Sequence, residues 1–267
     1  MSQLRSLIRV LSTFEQSHDD VLRRHGILDE DTKIHELYHG IKDGRIRDDN
    51  EARSVLYPCK DYVPETTYAS IKSRLTQSVI ESIGEIDTRS LTDNDYARAY
   101  LRSLQYARVL RVLCLHEEYD CAQTVAVQLL RLSEKYLFTD ETVVGLQALM
   151  ECYASIGDRS KIDACMRDYN SAVHTRALER NAESECAAFH ANTVLTWSTQ
   201  TTLLPEIHKS IERIRTELMS VESHILSLSV LRLRQLYAVI SMDYAECCKV
   251  RDEVELYYLQ RPHLREP

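Results

Sequence analysis

Glycine and proline are both rare in this sequence, six and five of 267 residues. Sheets need turns between their strands, and turns draw on those two residues, so little room is left for β structure. Long apolar runs are missing too. None approaches the roughly 20 residues that cross a bilayer. The opening Met1-Ser2-Gln3-Leu4-Arg5 leads into an amphipathic pattern rather than the apolar core of a signal peptide. A membrane partner is therefore not expected. There is no G-x-x-x-x-G-K and no G-x-G-x-x-G, so phosphate cradling has no support, and no glycine-flanked nucleophile elbow is present. No block of basic residues stands out, and the formal charge is −8. Nucleic-acid binding rests on a positive face, so that balance argues against it.

What the chain does have is helical periodicity, and an all-α fold is expected. From Asp95 to about Pro262 the sequence reads as four helix pairs. The first pair places Ala97, Tyr100, Leu104, Ala107, Leu110 and Cys114 on one stripe. After the polar step His116-Glu117-Glu118, a second stripe runs through Ala122, Val125, Ala126, Leu129, Leu132 and Tyr136. The second pair has Val143, Leu146, Leu149, Met150 and Tyr153, a break at Gly157-Asp158, then Ile162, Cys165, Met166, Tyr169, Ala172 and Val173. The third has Cys186, Phe189, Thr193 and Trp197, then Pro205 in the first turn of a helix carrying Leu204, Ile207, Ile211, Ile214, Leu218 and Val221. That last row suits the inner seam of a hairpin better than a coiled-coil dimer. The fourth pair spans roughly His224 to Ile240 and Tyr244 to Leu259. Pair starts recur about every 40 to 46 residues.

Two of the turns carry a resemblance. Tyr153-Ala154-Ser155-Ile156-Gly157-Asp158, and His116-Glu117-Glu118-Tyr119-Asp120-Cys121-Ala122 with Ala122 at a small packing position, resemble the inter-helix turn of tetratricopeptide repeats. Ile162 departs from that pattern, and the Trp-Leu-Gly of the family's first helix is missing. The resemblance implies a degenerate tetratricopeptide-like, right-handed solenoid over residues 93–267, built from about four pairs. A helical N-terminal domain over 1–92 would precede it.

In that N-terminal part Leu4, Leu7, Ile8, Leu11 and Phe14 mark a first helix. Asp19 to His25 is a short second one, ended by Gly26. Asp31 or Thr32 can cap a third, and Asp48 or Asp49 a fourth. A fifth after Pro64 points Tyr68, Ile71, Leu75, Val79 and Ile83 inward. The run Leu56-Tyr57-Pro58-Cys59-Lys60-Asp61-Tyr62, followed by Ile71, Ser73, Leu75 and Val79, resembles a step in uncharacterised helical-repeat proteins of Bacteroidetes. Those proteins often continue into further repeats, so the chain is expected to continue past Arg265-Glu266-Pro267. No polar capping helix is evident in the fourth pair, which implies such a continuation or self-association through the C-terminal repeat. The short helix, turn and helix bearing Ser73 and Arg74 also resemble a winged-helix DNA reader. Glu85 to Thr92 shows no strand alternation, however, and Lys72 and Arg74 are balanced by Glu65 and Glu81.

One motif carries chemistry. His35-Glu36-Leu37-Tyr38-His39 matches H-E-x-x-H. On a helix both imidazoles would share a face and could hold zinc, with Glu36 deprotonating a bound water. The context is poor: Lys33 precedes the motif closely, Gly40 follows it, and only Glu51 or Glu65 are at hand as a third ligand. The competing reading buries Ile34, Leu37, Tyr38 and Ile41 and leaves His35, Glu36 and His39 at the wet edge. His18 and His25 are expected to be solvated. The eight cysteines include no C-x-x-C. Most stand at apolar helix positions, as reduced thiols of a cytoplasmic protein would. The expected function is a non-enzymatic scaffold that binds a protein or peptide on the repeat surface, with no catalytic residues, cofactor or metal. A zinc hydrolase on His35, Glu36 and His39, and a DNA-binding regulator, are the alternatives.

Overall fold

The computed structural model describes residues 1–12, 19–29, 32–58, 65–85, 94–195 and 202–265. Among the described residues there are α-helices and short 3-10 turns but no strand. The chain forms two compact units, Met1–Asp93 and Asn94–Pro267.

The first unit holds α1 (Ser2–Ser12), α2 (Asp19–Arg24), α3 (Lys33–Lys42), α4 (Asp49–Leu56) and α5 (Glu65–Glu85). α5 runs against α1, α2 and α3. Its inward stripe, Tyr68, Leu75 and Val79, meets Leu4, Ile8 and Leu11 of α1 and Leu37, Tyr38 and Ile41 of α3 in one core. Each such side chain gains about 1.5–3 kcal/mol on burial. The helix starts are set by side chains. Thr32 Oγ1 accepts the His35 N–H at 3.1 Å, and Asp48 Oδ1 accepts those of Asn50 and Glu51 at 2.8 and 2.9 Å. Asp49 instead receives the Tyr68 hydroxyl at 2.6 Å and the Lys72 ammonium at 2.9 Å. Asp31, Phe14, His18 and Cys59 lie outside the described residues.

The second unit holds α6 (Asp95–Leu115), α7 (Tyr119–Tyr136), α8 (Thr139–Ser155), α9 (Arg159–Leu195), α10 (Leu204–Leu218), α11 (His224–Ile240) and α12 (Tyr244–Gln260). A 3-10 turn, Pro262–Leu264, follows. Each helix packs on its neighbour in sequence, and α9 also packs on α11. Ile207, Ile211 and Ile214 of α10 are buried in the cluster with Leu226, Val230 and Leu233 of α11, so that row is a hairpin seam.

Three features depart from the expected pattern. The stretches read as separate helices around Ile162–Val173 and from Cys186 onward are one helix, α9, 37 residues long, or about 55 Å. No glycine or proline falls between Asp158 and Leu204. The apolar stripe pauses over His174–Glu185, but good helix formers fill the pause and nothing ends the helix. Its first half joins the α6–α7–α8 cluster through Cys165, and its second half joins α10 and α11 through Ala182, Cys186 and Phe189. The second and third pairs therefore share a helix. Trp197 lies outside the described residues.

Second, α6 buries Ala99, Ser103 and Leu110. Tyr100 and Leu104, expected on the inner stripe, are both 43% exposed. Aliphatic side chains stand on both sides of this helix, interspersed with arginines, so periodicity alone does not choose the face that meets α7 and α8. Third, the end of the unit turns back on its start. Leu264 is buried with Ala99, Tyr136 and Phe138, and Asn94 Nδ2 donates to the Arg265 carbonyl at 2.8 Å. α12 presents exposed Lys249, Arg251, Asp252 and Glu255 beside exposed Tyr244, Leu256 and Leu259.

Candidate functional site

His35 and His39 lie one turn apart on α3, with ring centroids 4.4 Å apart and planes inclined by 54°. Both are half-buried and Glu36 is exposed, while Leu37, Tyr38 and Ile41 point into the core. The two carboxylates that could have completed the set are engaged elsewhere. Glu51 accepts the Arg47 N–H at 2.6 Å, and Glu65 sits 3.3 Å from Arg53. Among the described residues no three His, Cys, Asp or Glu side chains converge as a metal site. His25 is not solvated: it is 14% exposed and lies between Glu81 and Glu85 at 3.3 and 3.1 Å. On α5 Lys72 is held by Asp49, so it does not offer a charge for a phosphate backbone.

A different arrangement comes together in the second unit. α10 and α12 both pack on α11, and an open groove of about 370 Å³ lies over α11 between them. Val230 and Leu231 of α11 form its floor, Leu218 of α10 one wall, and Leu256 and Tyr257 of α12 the other. Arg215, Arg234, Glu253 and Gln260 form a polar rim. The rim is fixed by one residue. Arg234 donates from Nε and Nη2 to Glu246 Oε1 at 3.1 and 2.6 Å, and from Nη2 to Glu253 Oε1 at 3.0 Å. Glu246, Val250, Glu253 and Tyr257 are spaced four, three and four apart, which places both carboxylates on the side of α12 that faces α11. The Arg234 hydrogen bond holds the Glu253 carboxyl below the usual carboxylate range.

The start of α11 is pinned with equal care. Ser223 caps it by accepting the Leu226 N–H at 3.1 Å, and the same hydroxyl donates to Glu179 Oε1 at 2.5 Å. Thr139, the first residue of α8, donates to that oxygen at 2.9 Å. Glu179 is 3% exposed. Burial pushes its carboxyl up, against the pull of the Ser223 and Thr139 hydroxyls. In the last turn of α12, the Tyr257 hydroxyl lies 2.8 Å from Nδ1 of His224, the first residue of α11, and the two rings stack with centroids 5.7 Å apart. Tyr258 also reaches His224, with a centroid distance of 6.4 Å.

The groove offers little for covalent chemistry. Its serine, Ser227, donates to the Ser223 carbonyl at 2.8 Å. Its charged groups are paired: Arg234 with Glu253 and Glu246, and Arg215 with Glu212. It offers an apolar floor with a fixed polar edge, the usual composition of a recognition surface. Sequence reasoning did not single out this groove. The one available signal was the four-three-four spacing in α12 opposite Arg234, one of two arginines in the largely apolar α11. Compared with protein-family models, curated proteins and solved structures, the chain matches none.

Proposed function

We propose that this chain is a non-catalytic interaction scaffold, with residues 94–267 acting as a tetratricopeptide-like surface that binds a protein or peptide partner in the groove over α11. The observation that carries the reading is the groove itself. Leu256, 53% exposed, and half-buried Leu231 and Leu218 surround an opening whose rim is already ordered by the Arg234 pairs. A prepared rim lowers the ordering cost that a ligand must overcome. The volume suits two or three apolar side chains of a short segment, which is the anchor pattern of peptide recognition. No described helix is long and apolar enough to cross a membrane, and the seven described cysteines are all free thiols, which supports the reading of a cytoplasmic protein.

Leu256→Asp tests the proposal, because the side chain is exposed and its loss leaves the core intact. The full chain should capture a partner from its own cells, and the variant, with an unchanged melting temperature, should lose it. Equal capture by both proteins, or measured turnover of a substrate with no partner found, contradicts the scaffold reading.

A further inference from the structure

The outer face of α6 exposes four aliphatic side chains. Leu104, Val109 and Val112 are 43%, 45% and 49% exposed, and Leu115 is 82% exposed. They sit on the side turned away from α7 and α8, which receive Ala99, Ser103 and Leu110. A helix apolar on both sides ordinarily has neighbours on both sides. The same face is basic. α6 carries Arg98, Arg102, Arg108 and Arg111 against a single acid, Asp95, in a chain of net charge −8. Arg98 pairs with Asp95 at 3.4 Å. Arg102 lies over the Tyr106 ring, 5.4 Å from its centroid. Among the described residues Arg102, Arg108 and Arg111 pair with no carboxylate. Elsewhere in the unit, Arg159, Arg176, Arg180, Arg213, Arg215, Arg234 and Arg251 pair with carboxylates, whereas Arg131, Arg167 and Arg261, on three different helices or their ends, do not among the described residues.

We infer that this face docks an acidic amphipathic helix of a partner protein, whose aliphatic stripe covers Leu104, Val109, Val112 and Leu115 and whose carboxylates meet Arg102, Arg108 and Arg111. A helix fits because every apolar stripe buried within this unit is covered by another helix, at the spacing α6 repeats on its outer side. Acidic flanks fit because unpaired guanidinium groups take carboxylates in bidentate geometry. A second copy of this chain docked α6 to α6 would bring arginine onto arginine at a twofold interface, which is repulsive. An anionic lipid surface or a nucleic acid presents its charge over a far wider area than one helix face, and a chain of net charge −8 repels such a polyanion. The inference is independent of the groove over α11, which lies on other helices.

The experiment uses the full chain and two fluorescent synthetic helices of about 20 residues with the same leucine stripe, one flanked by glutamate and one by lysine. The glutamate peptide should bind, and its affinity should fall several-fold between about 50 and 300 mM salt. The lysine peptide should not bind. Arg108→Glu and Val112→Asp, both at exposed positions, should each weaken the glutamate peptide at least about tenfold with an unchanged melting temperature. Leu256→Asp should leave it unaffected, which separates this face from the groove. Equal binding of both peptides, insensitivity to Arg108→Glu, binding of phosphatidylserine vesicles through these residues, or dimerisation abolished by Val112→Asp would each overturn the inference.

Discussion

The hydroxyl of Ser223 donates to Glu179 Oε1 across 2.5 Å, joining the first turn of α11 to the middle of α9. Ser223 also caps α11. It therefore sets both where the groove floor begins and how it sits on the long helix. Ser223→Ala should destabilise the second unit by about 1–3 kcal/mol, from a lost cap and a buried acceptor left short of a donor. Urea unfolding followed by circular dichroism would measure it. A loss under about 0.5 kcal/mol would mean that the cap is dispensable.

The same carboxylate makes a pH prediction. Burial holds the Glu179 carboxyl above its ordinary value, and burial does the same to Glu141 nearby. Asp140, Glu183, Arg176 and Arg180 are the charged neighbours. An acid raised in the folded state keeps its proton over a range where the unfolded chain has released it. Its contribution to stability is complete below the usual glutamate value of about 4.3 and is lost as pH rises through the raised value. Glu179→Gln keeps the acceptor oxygen and removes the charge. Relative to the parent it should gain melting temperature as pH rises from about 4 to 7. An unchanging difference between the two proteins would show that Glu179 does not titrate out of its usual range.

Arg234 should act in the opposite sense. Its hydrogen bond lowers the Glu253 carboxyl, so that pair stabilises at neutral pH and weakens as pH falls through the lowered value. Glu253 is half exposed, so salt should screen much of the effect. Arg234→Met should lower the melting temperature at pH 7, and the difference should shrink in acid and at high salt. It should also weaken partner capture, because the groove rim loses its anchor.

Gly40 gives a packing test in the first unit. A Cβ at this position would run into Ile46 Cδ1, and Ile46 is fully buried. Gly40→Ala should therefore cost about 1–3 kcal/mol from overpacking, although alanine favours the helix by about 1 kcal/mol. Ile46→Val should recover part of that loss in the double variant. Additive effects would place the strain elsewhere.

The thiols should divide by exposure. Cys121 and Cys248 are exposed, whereas Cys152 and Cys186 are buried. Burial pushes the Cys114 thiol up to about 11 and raises those of Cys152, Cys165 and Cys186. With a disulfide reagent at mild alkaline pH, Cys121 and Cys248 should be modified first, read by mass spectrometry. Early modification of Cys186 would mean that the α9–α11 contact opens readily.

Where one helix face was apolar and the other polar, the sequence was enough. The inward rows of α1, α5, α7 and α10 stand where their spacing put them. Thr32 and Asp48 could be named only as one of two caps each, because adjacent residues offered the same chemistry. Two things were hidden. α9 is continuous because nothing in the sequence ends it, and a pause in apolar residues reads like a break when it is not one. The inner face of α6 was misjudged because Leu104, Val109 and Val112 are as apolar as Leu110, and only the position of α7 and α8 distinguishes them. The groove depends on which helices flank α11, and Arg234, Glu246 and Glu253 are ordinary surface residues until that is known.

The most direct measurement places a photo-reactive amino acid at Leu256 in the groove and, separately, at Arg251, which is exposed on the same helix. Irradiation in the protein's own cells should yield one discrete partner adduct at position 256 and none at 251. Adducts at both positions alike, or at neither, would contradict a groove that recognises a partner.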